Sequence, residues 1–428
     1  MDWLPILFCV LEFYTNRLQR HFPKKHESTM RILHINSLYE PRIIGGAEKS
    51  VRLLSESLQA NGHSVTVIVP SHRPHIRTLS GVTIRGVVIP FTRDPFNVRI
   101  KGSPFVRRFA KLQDIWNPFA KSVIKAVLRA ERPDIVHTHT LYGISAVVWQ
   151  CAASLGIPVV HTFRDYFFLD WAYMRSCKVT ATQSLLIATY QRFQRRMLRD
   201  VDLLVFLSRR QRDIMRIIVG TRETAIIPNS MAPIQSKSSP APKRKNDSER
   251  NTFVFLFLGR LDHKKGVSVL VDAFSQSHRG DIRLVIAGRG DLEKFVQRKA
   301  SRDDRISFVG WVVDSETAEL LAQADVLVAP SIYDEPFGRS AVEAYRHGKP
   351  IIASAVGGFL DTVVNFETGL LVTPCDVNEL CRAIEYMADH DTLRKMAKRV
   401  FDFRDRFSPI TVAKHYEKIY NRLVGSKN

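Results

Sequence analysis

The feature that most narrows the fold is a pattern that runs twice. Short β-branched or apolar runs at 32–35, 64–69, 134–137, 158–162 and 203–207 alternate with amphipathic stretches such as 47–61 and 118–131. After residue 250 the alternation begins again, with strand-like runs at 253–258, 284–287, 306–309, 326–329 and 351–354. Such runs separated by helix-length segments describe parallel sheets with crossover helices. Two doubly wound α/β units follow, since 428 residues are too many for one hydrophobic core.

Residues 233–250, PIQSKSSPAPKRKNDSER, have the composition of an exposed connector. Near the end, Ser408-Pro409 opens a helix with apolar residues at 412, 416, 419, 420 and 423. The expected division is an extension over 1–29, a first unit over 30–232, a linker over 233–250, a second unit over 251–405, and a C-terminal helix over 406–428 that crosses back to the first unit. Met30 opens a good first strand, Arg31-Ile32-Leu33-His34-Ile35. Residues 1–29 therefore read either as an extension upstream of the true start or as a short amphipathic, membrane-touching helix. No segment reaches the roughly 18–20 apolar residues of a membrane span, and the N-terminus lacks the basic leader of a secretory signal. Five scattered cysteines without Cys-x-x-Cys spacing point to a reducing compartment, hence the cytoplasm.

The stretch after the strand at 326–329 carries the densest chemistry. Asp334-Glu335-Pro336-Phe337-Gly338-Arg339-Ser340-Ala341-Val342-Glu343 reads as a loop entering a helix. Gly338 permits close backbone approach, and the N–H groups of about residues 338–341 would form an anion-binding terminus. Glu335 before it and Glu343 inside it could bind hydroxyls at either end of a ligand whose phosphates lie between. By itself the stretch also reads as a capped helix with two solvated glutamates. Three further glycine-bearing loops follow other strands of the same unit: Gly259-Arg260 through Lys265-Gly266, Gly288-Arg289-Gly290, and Gly357-Gly358. Open α/β sheets bind ligands beyond the carboxyl ends of their strands, where Arg260 and Lys265 would project.

With these motifs in place, residues 253–374 resemble the donor-binding half of the retaining glycosyltransferases of family 4, which have the GT-B fold of two facing Rossmann-like domains. The matching elements are Glu335-x7-Glu343, Gly259-Arg260-x5-Gly266, Gly357-Gly358, and Thr368-Gly369-Leu370-Leu371-Val372 with Pro374. The resemblance continues more weakly from Met30 to about Val424. It implies that Glu335 contacts the donor sugar, Glu343 the nucleoside ribose, and His139, at the end of 134–139, the sugar near the reacting carbon. Phe337, Gly338, Arg339 and Ser340, with Gly259 and Gly288, belong to the implied donor site. In the first unit Gly45 and Gly46 form the turn that approaches donor diphosphate and acceptor, Gly46 on the donor side and Gly45 on the acceptor side. Arg164-Asp165 stands where relatives carry His-Asp; a guanidinium there suits a phosphorylated acceptor. Asp170 replaces a Cys of some relatives, and Ser230 replaces a Gly after Asn229.

The implied reaction is sugar transfer from a nucleoside-diphosphate sugar to an acceptor hydroxyl with retention, in polysaccharide or glycolipid synthesis. Arg260 and Lys265 could stabilise the departing diphosphate as fixed charges, so no metal or other cofactor is expected. Asp200-Val201-Asp202 precedes its strand and Asp389-His390-Asp391 lies in helical sequence, so neither has the context of a metal-binding Asp-x-Asp. A dehydrogenase would need Gly-x-Gly-x-x-Gly after its first strand, and it is absent. The alternative within the fold is a nucleotide-sugar epimerase or a non-transferring nucleotide-sugar binder.

Charge points to the partner. Residues 1–250 hold 38 basic and 18 acidic side chains, whereas 251–428 hold 25 and 24. The cationic half carries Arg107, Arg108, Lys111, Lys121, Lys125, Arg129, Arg192, Arg195, Arg196 and Arg199. Without a nucleic-acid-reading motif, this half is expected to meet an anionic membrane and a sugar or lipid-linked acceptor, with the protein peripheral on the inner face of the cytoplasmic membrane.

Overall fold

A computed structural model describes residues 29–42, 45–90, 116–166, 168–169, 181–232 and 252–427. The extension, apart from Thr29, and the linker at 233–250 lie outside the described residues, as do Arg107, Arg108, Lys111 and Asp170. The chain forms two units: 1–207, 212–227 and 412–428 make the first, and 208–211 with 228–411 make the second.

In the first unit an eight-stranded sheet has the order β3-β4-β2-β1-β5-β6-β7-β8. Its strands are β1 (Arg31–Ile35), β2 (Ser64–Pro70), β3 (His75–Leu79), β4 (Val82–Val87), β5 (Ile135–Thr138), β6 (Val159–Thr162), β7 (Leu203–Phe206) and β8 (Thr224–Ile226). Every pairing is parallel except β3 with β4, which runs antiparallel at one edge. Helices α1 (Gly46–Ala60), α2 (Ala120–Glu131), α3 (Val147–Ala153), α4 (Ala181–Met197) and α5 (Arg209–Val219) connect strands. Burial sorts them into two layers. Residues of α2, α3 and α5, with Met197 and Leu198 at the end of α4, join one core cluster around Trp149, which is fully buried. Residues of α1 and of the C-terminal helix join another, through Val51, Leu54, Leu58, Tyr416 and Tyr420.

The second unit holds a six-stranded parallel sheet of order β11-β10-β9-β12-β13-β14. These are β9 (Phe253–Leu258), β10 (Ile282–Ala287), β11 (Ile306–Gly310), β12 (Val326–Ala329), β13 (Ile351–Ser354) and β14 (Gly369–Val372). Strand β12, VLVA, is buried along its whole length, which is why it reads as an unbroken apolar run. Helices α6 (Val267–Gln276), α7 (Glu293–Ala300), α8 (Asp314–Gln323), α9 (Arg339–Arg346), α10 (Phe359–Thr362), α11 (Val377–Met387) and α12 (His390–Phe403) surround it. Helix α13 (Pro409–Gly425) ends the chain, and its residues from Val412 pack within the first unit. No described helix is long and apolar enough to cross a membrane.

Candidate active site

A doubly wound sheet binds its ligand where the chain's progression along the sheet reverses. In the second unit that point lies between β9 and β12, so the loops at 259–266 and 330–338 meet there. Their contact is tight. Gly266 has φ 69°, and a Cβ on it would stand 1.8 Å from the Pro330 carbonyl oxygen; the Ile332 N–H donates to the Lys264 carbonyl at 2.8 Å. Across this junction Lys265 Nζ reaches Glu335 Oε1 at 2.6 Å. Ser331 Oγ donates to the same oxygen at 2.8 Å and Tyr333 OH to Oε2 at 3.1 Å. Burial and the adjacent Glu335 charge raise the Tyr333 phenol far above its ordinary pKa, so it stays a donor. Lys265 also lies over the Tyr333 ring, 5.5 Å from its centroid.

The other loops are laced to this pair. Leu261 N–H donates to the Arg289 carbonyl at 2.9 Å, and Gly259 N–H to Ala287 at 3.1 Å. Gly288 N–H donates to Gly310 at 2.7 Å. Gly357, at φ 53°, leaves no room for a side chain: a Cβ would sit 2.2 Å from the Glu335 nitrogen. Its N–H donates to Asp334 Oδ1 at 3.0 Å, and Gly358 N–H to the Glu335 carbonyl at 2.7 Å. Arg260, mostly exposed, pairs with Asp262 at 3.1 Å.

Helix α9 begins after Gly338, and Arg339 Nε pairs with Glu343 Oε1 at 2.7 Å, one turn apart. Ser340 lies half-buried in its first turn. Two expectations change here. The Ala341 N–H is bonded to the Gly338 carbonyl at 3.1 Å, so the terminus ends one residue earlier than 338–341. The Phe337 ring is buried against Phe407, 6.1 Å between centroids, so it is a core side chain. Ser331, Tyr333, Asp262 and Asp334 escaped the sequence reading. A hydroxyl four residues before Glu335 was the available signal, and it is weak.

The first unit reverses between β1 and β5. His34 of β1 stands in register with His137 of β5, and His139 follows two residues on, so all three share a face of the sheet. His139 is 2% exposed and folds back on His137, ring centroids 4.0 Å apart. Its Nδ1 accepts from Arg164 Nε and Nη2, both at 3.4 Å. Guanidinium nitrogens only donate, so the neutral imidazole carries its proton on Nε2, which has no partner. In His34 the logic inverts. Ser55 Oγ gives its proton to the Val51 carbonyl, so His34 Nδ1 donates to Ser55 at 2.8 Å and its unpartnered Nε2 bears a lone pair.

His137 is held by Tyr420 OH at 2.5 Å and Thr162 Oγ1 at 2.8 Å, and Thr162 bonds Tyr416 OH at 3.0 Å. Burial, reinforced by Arg164 and neighbouring rings, pushes His34 down to about 3 and His137 and His139 well below the ordinary histidine value. All three are therefore neutral.

Among the described residues these three imidazoles are the group whose ligand atoms lie close enough, within 4.8 Å, to hold a metal ion. The fit is poor: both nitrogens of His137 are spent, and the Arg164 guanidinium would repel a dication. Elsewhere in this unit, Asp165 accepts from Tyr142 OH at 2.7 Å. The Glu48 carboxylate accepts from Gly45 N–H at 2.8 Å, so the chain's own anion sits at the α1 terminus beside Gly46.

The family described as Glycosyltransferase Family 4 matches residues 44–232, and Glycosyl transferases group 1 matches 239–400. Two α/β sheets, one parallel throughout and one parallel but for an edge strand, and these matches over most of the chain define a GT-B glycosyltransferase, and the chain belongs to glycosyltransferase family 4. It is 29% identical to a phosphatidyl-myo-inositol mannosyltransferase of Mycobacterium leprae over 83% of this chain and 87% of that protein. It is 29% identical to a glycogen synthase of Mycobacterium tuberculosis over 84% and 86% of the two chains. In fold it is similar to a sucrose-phosphate synthase from Thermosynechococcus elongatus, with TM-score 0.69 at 24% identity, covering 93% of this chain and 100% of that one.

Proposed function

We propose that this glycosyltransferase moves a sugar from a nucleoside-diphosphate donor to an acceptor hydroxyl with retention and without a metal, in polysaccharide or glycolipid synthesis at the cytoplasmic side of an anionic membrane. The observation that carries the reading is the Lys265–Glu335 pair, braced by Ser331 and Tyr333 at the switch point of the second sheet. A cation and a carboxylate held together there match a ligand offering phosphate oxygens beside sugar hydroxyls.

In this mechanism the bond from the anomeric carbon to the phosphate oxygen breaks as the acceptor oxygen bonds to the same face of that carbon. The acceptor proton passes to the departing phosphate oxygen. Lys265 and Arg260 stabilise the charge that builds on the diphosphate, the largest kind of contribution a preorganised site makes. Glu335 accepts from sugar hydroxyls and Glu343 from the ribose. Glycolipid synthesis is supported by the likeness to a phosphatidyl-myo-inositol mannosyltransferase.

The test is turnover against a panel of nucleotide sugars, with the product's anomeric configuration read by proton NMR. Lys265→Ala should lower kcat/KM by about a hundredfold or more, as for loss of one preorganised donor, and chelators should leave the wild type unchanged. An unaffected Lys265→Ala, an inverted product, or an epimerised donor without transfer would each overturn the reading.

A further inference from the structure

The basic surplus of the first unit is concentrated on one of its two helix layers. Helices α2, α3 and α4 carry Lys121, Lys125, Arg129, Arg192, Arg195 and Arg196, and Arg199 follows in the next turn; their one acidic residue, Glu131, is buried against Arg85. Positions 121, 125 and 129 recur every fourth residue and so form one stripe along α2. Six of the seven cations are exposed and Lys125 is half-buried. Among the described residues none of the seven makes an ion pair. The opposite layer differs: Arg52 pairs with Glu40 and Glu56, and Arg422 with Glu223. Unpaired like charges repel, so a surface that keeps them is complementary to an external anion.

A second observation lies at the start of α2. Trp116 is 45% and Phe119 59% exposed, yet the turn that presents them is pinned. Asn117, 3% exposed, receives Phe119 N–H on Oδ1 at 3.1 Å, donates Nδ2 to the Pro90 carbonyl at 2.7 Å, and gives its own N–H to Ser145 Oγ at 2.9 Å. Trp116 meets Phe193 of α4 edge-on at 6.5 Å, so the aromatic tip lies against the helix that carries Arg192, Arg195 and Arg196. Farther along, an open recess of about 510 Å³ is lined by Gln150, Ala153, Ser154, Arg196, Arg199 and Asp200. It offers the guanidinium groups of Arg196 and Arg199, beside the Asp200 carboxylate, to a group the size of a phosphate; the Ser154 hydroxyl is spent on the Cys151 carbonyl at 2.8 Å.

From this face we infer a docking surface for an anionic phospholipid bilayer, with Trp116 and Phe119 entering the interface and the Arg196–Arg199 recess taking a lipid phosphate. A bilayer presents a plane of anions above an apolar layer and so engages both kinds of group at once. The inference rests on the proposed membrane setting of the transfer reaction and names the surface responsible.

Cosedimentation of the full-length protein with phosphatidylcholine vesicles, with and without phosphatidylglycerol and in the absence of sugar donor, tests it. Binding should require phosphatidylglycerol and fall away near 1 M salt, where the screening length is about 3 Å. Arg196→Glu with Arg199→Glu should weaken it at least about tenfold, given roughly 1 kcal/mol per basic residue at such a surface. Trp116→Ser with Phe119→Ser should weaken it severalfold. Lys418→Glu, on the opposite layer, should not. Circular dichroism would confirm that each variant is folded. Wild type that ignores phosphatidylglycerol, a double charge reversal that binds as wild type, equal loss with Lys418→Glu, or tighter salt-sensitive binding to RNA than to vesicles would each overturn the proposal. Vesicle binding without sugar transfer would sink the enzymatic reading alone; transfer without vesicle binding would sink only this surface.

Discussion

Acidification should unfold the first unit well before it protonates most carboxylates. Four fully buried imidazoles are responsible: His34 and His161 are pushed down to about 3, and His137 and His139 well below the ordinary value. Burial is the leading cause in each, and the fixed charge of Arg164 adds to it. In the unfolded chain all four return to about 6.5. Their folded values are depressed, so the unfolded state binds more protons below pH 6.5, and stability is full above that value and lost as pH falls. Between pH 7.5 and 5.5 one such histidine costs about 1.4 kcal/mol, and four cost about 5.5 kcal/mol. That is comparable to the whole stability of a domain, roughly 5–15 kcal/mol. Glu131, whose burial raises its pKa, acts oppositely but offsets at most one proton. The assay is urea unfolding at pH 7.5, 6.5 and 5.5, followed by the near-ultraviolet circular dichroism of buried Trp149. His34→Gln should reduce the pH dependence by about a quarter. A flat profile, or a slope near pH 5.5 below about two protons, would refute the claim that these rings fold neutral.

Other perturbations test the two sites separately. Gly357→Ala must move the Glu335 backbone, because its Cβ would fall 2.2 Å from the Glu335 nitrogen; about 1–3 kcal/mol of lost stability is expected by urea unfolding, with weaker nucleotide-sugar binding by calorimetry. Tyr420→Phe removes the partner of a fully buried His137 nitrogen. It should cost about 1–3 kcal/mol in the first unit, and the same loss in a variant already carrying His137→Phe would show that the bond is not what stabilises.

The double alternation of strands and helices was legible because buried parallel strands are unbroken apolar runs, as in LLVF of β7 and FVFLFL of β9. Strand β3, HIRTL, was not, since an antiparallel edge strand keeps most of its side chains in contact with solvent and shows no apolar run. Strand β8 spans three residues and none of them is buried. Helix α4 was missed too, in a stretch where Gln, Thr and Arg dilute the apolar period. At the site, spacing placed Glu335, Lys265 and Gly357 in separate loops after different strands, and the sheet order brought them together. His34 was invisible for the opposite reason. A single histidine in an apolar strand carries no signal until the register with β5 sets it beside His137.

The near-neutral charge of the second half has a structural counterpart in how its site cations are held. Arg260 has Asp262 at 3.1 Å, Lys265 has Glu335 at 2.6 Å, and Arg339 has Glu343 at 2.7 Å. Each cation proposed to meet phosphate, and each carboxylate proposed to meet a hydroxyl, thus has an internal partner of opposite sign. A diphosphate approaching Lys265 competes with Glu335, and a sugar hydroxyl approaching Glu335 competes with Lys265. A ligand offering both groups exchanges the pair for two new contacts without leaving either charge stranded in a partly buried site. Free phosphate or free sugar would strand one of them, at a cost that rises with burial. The arrangement therefore favours the intact nucleotide sugar over its separated parts, and calorimetry should find the affinity of Lys265→Met with Glu335→Gln for free diphosphate less impaired than its affinity for the whole donor.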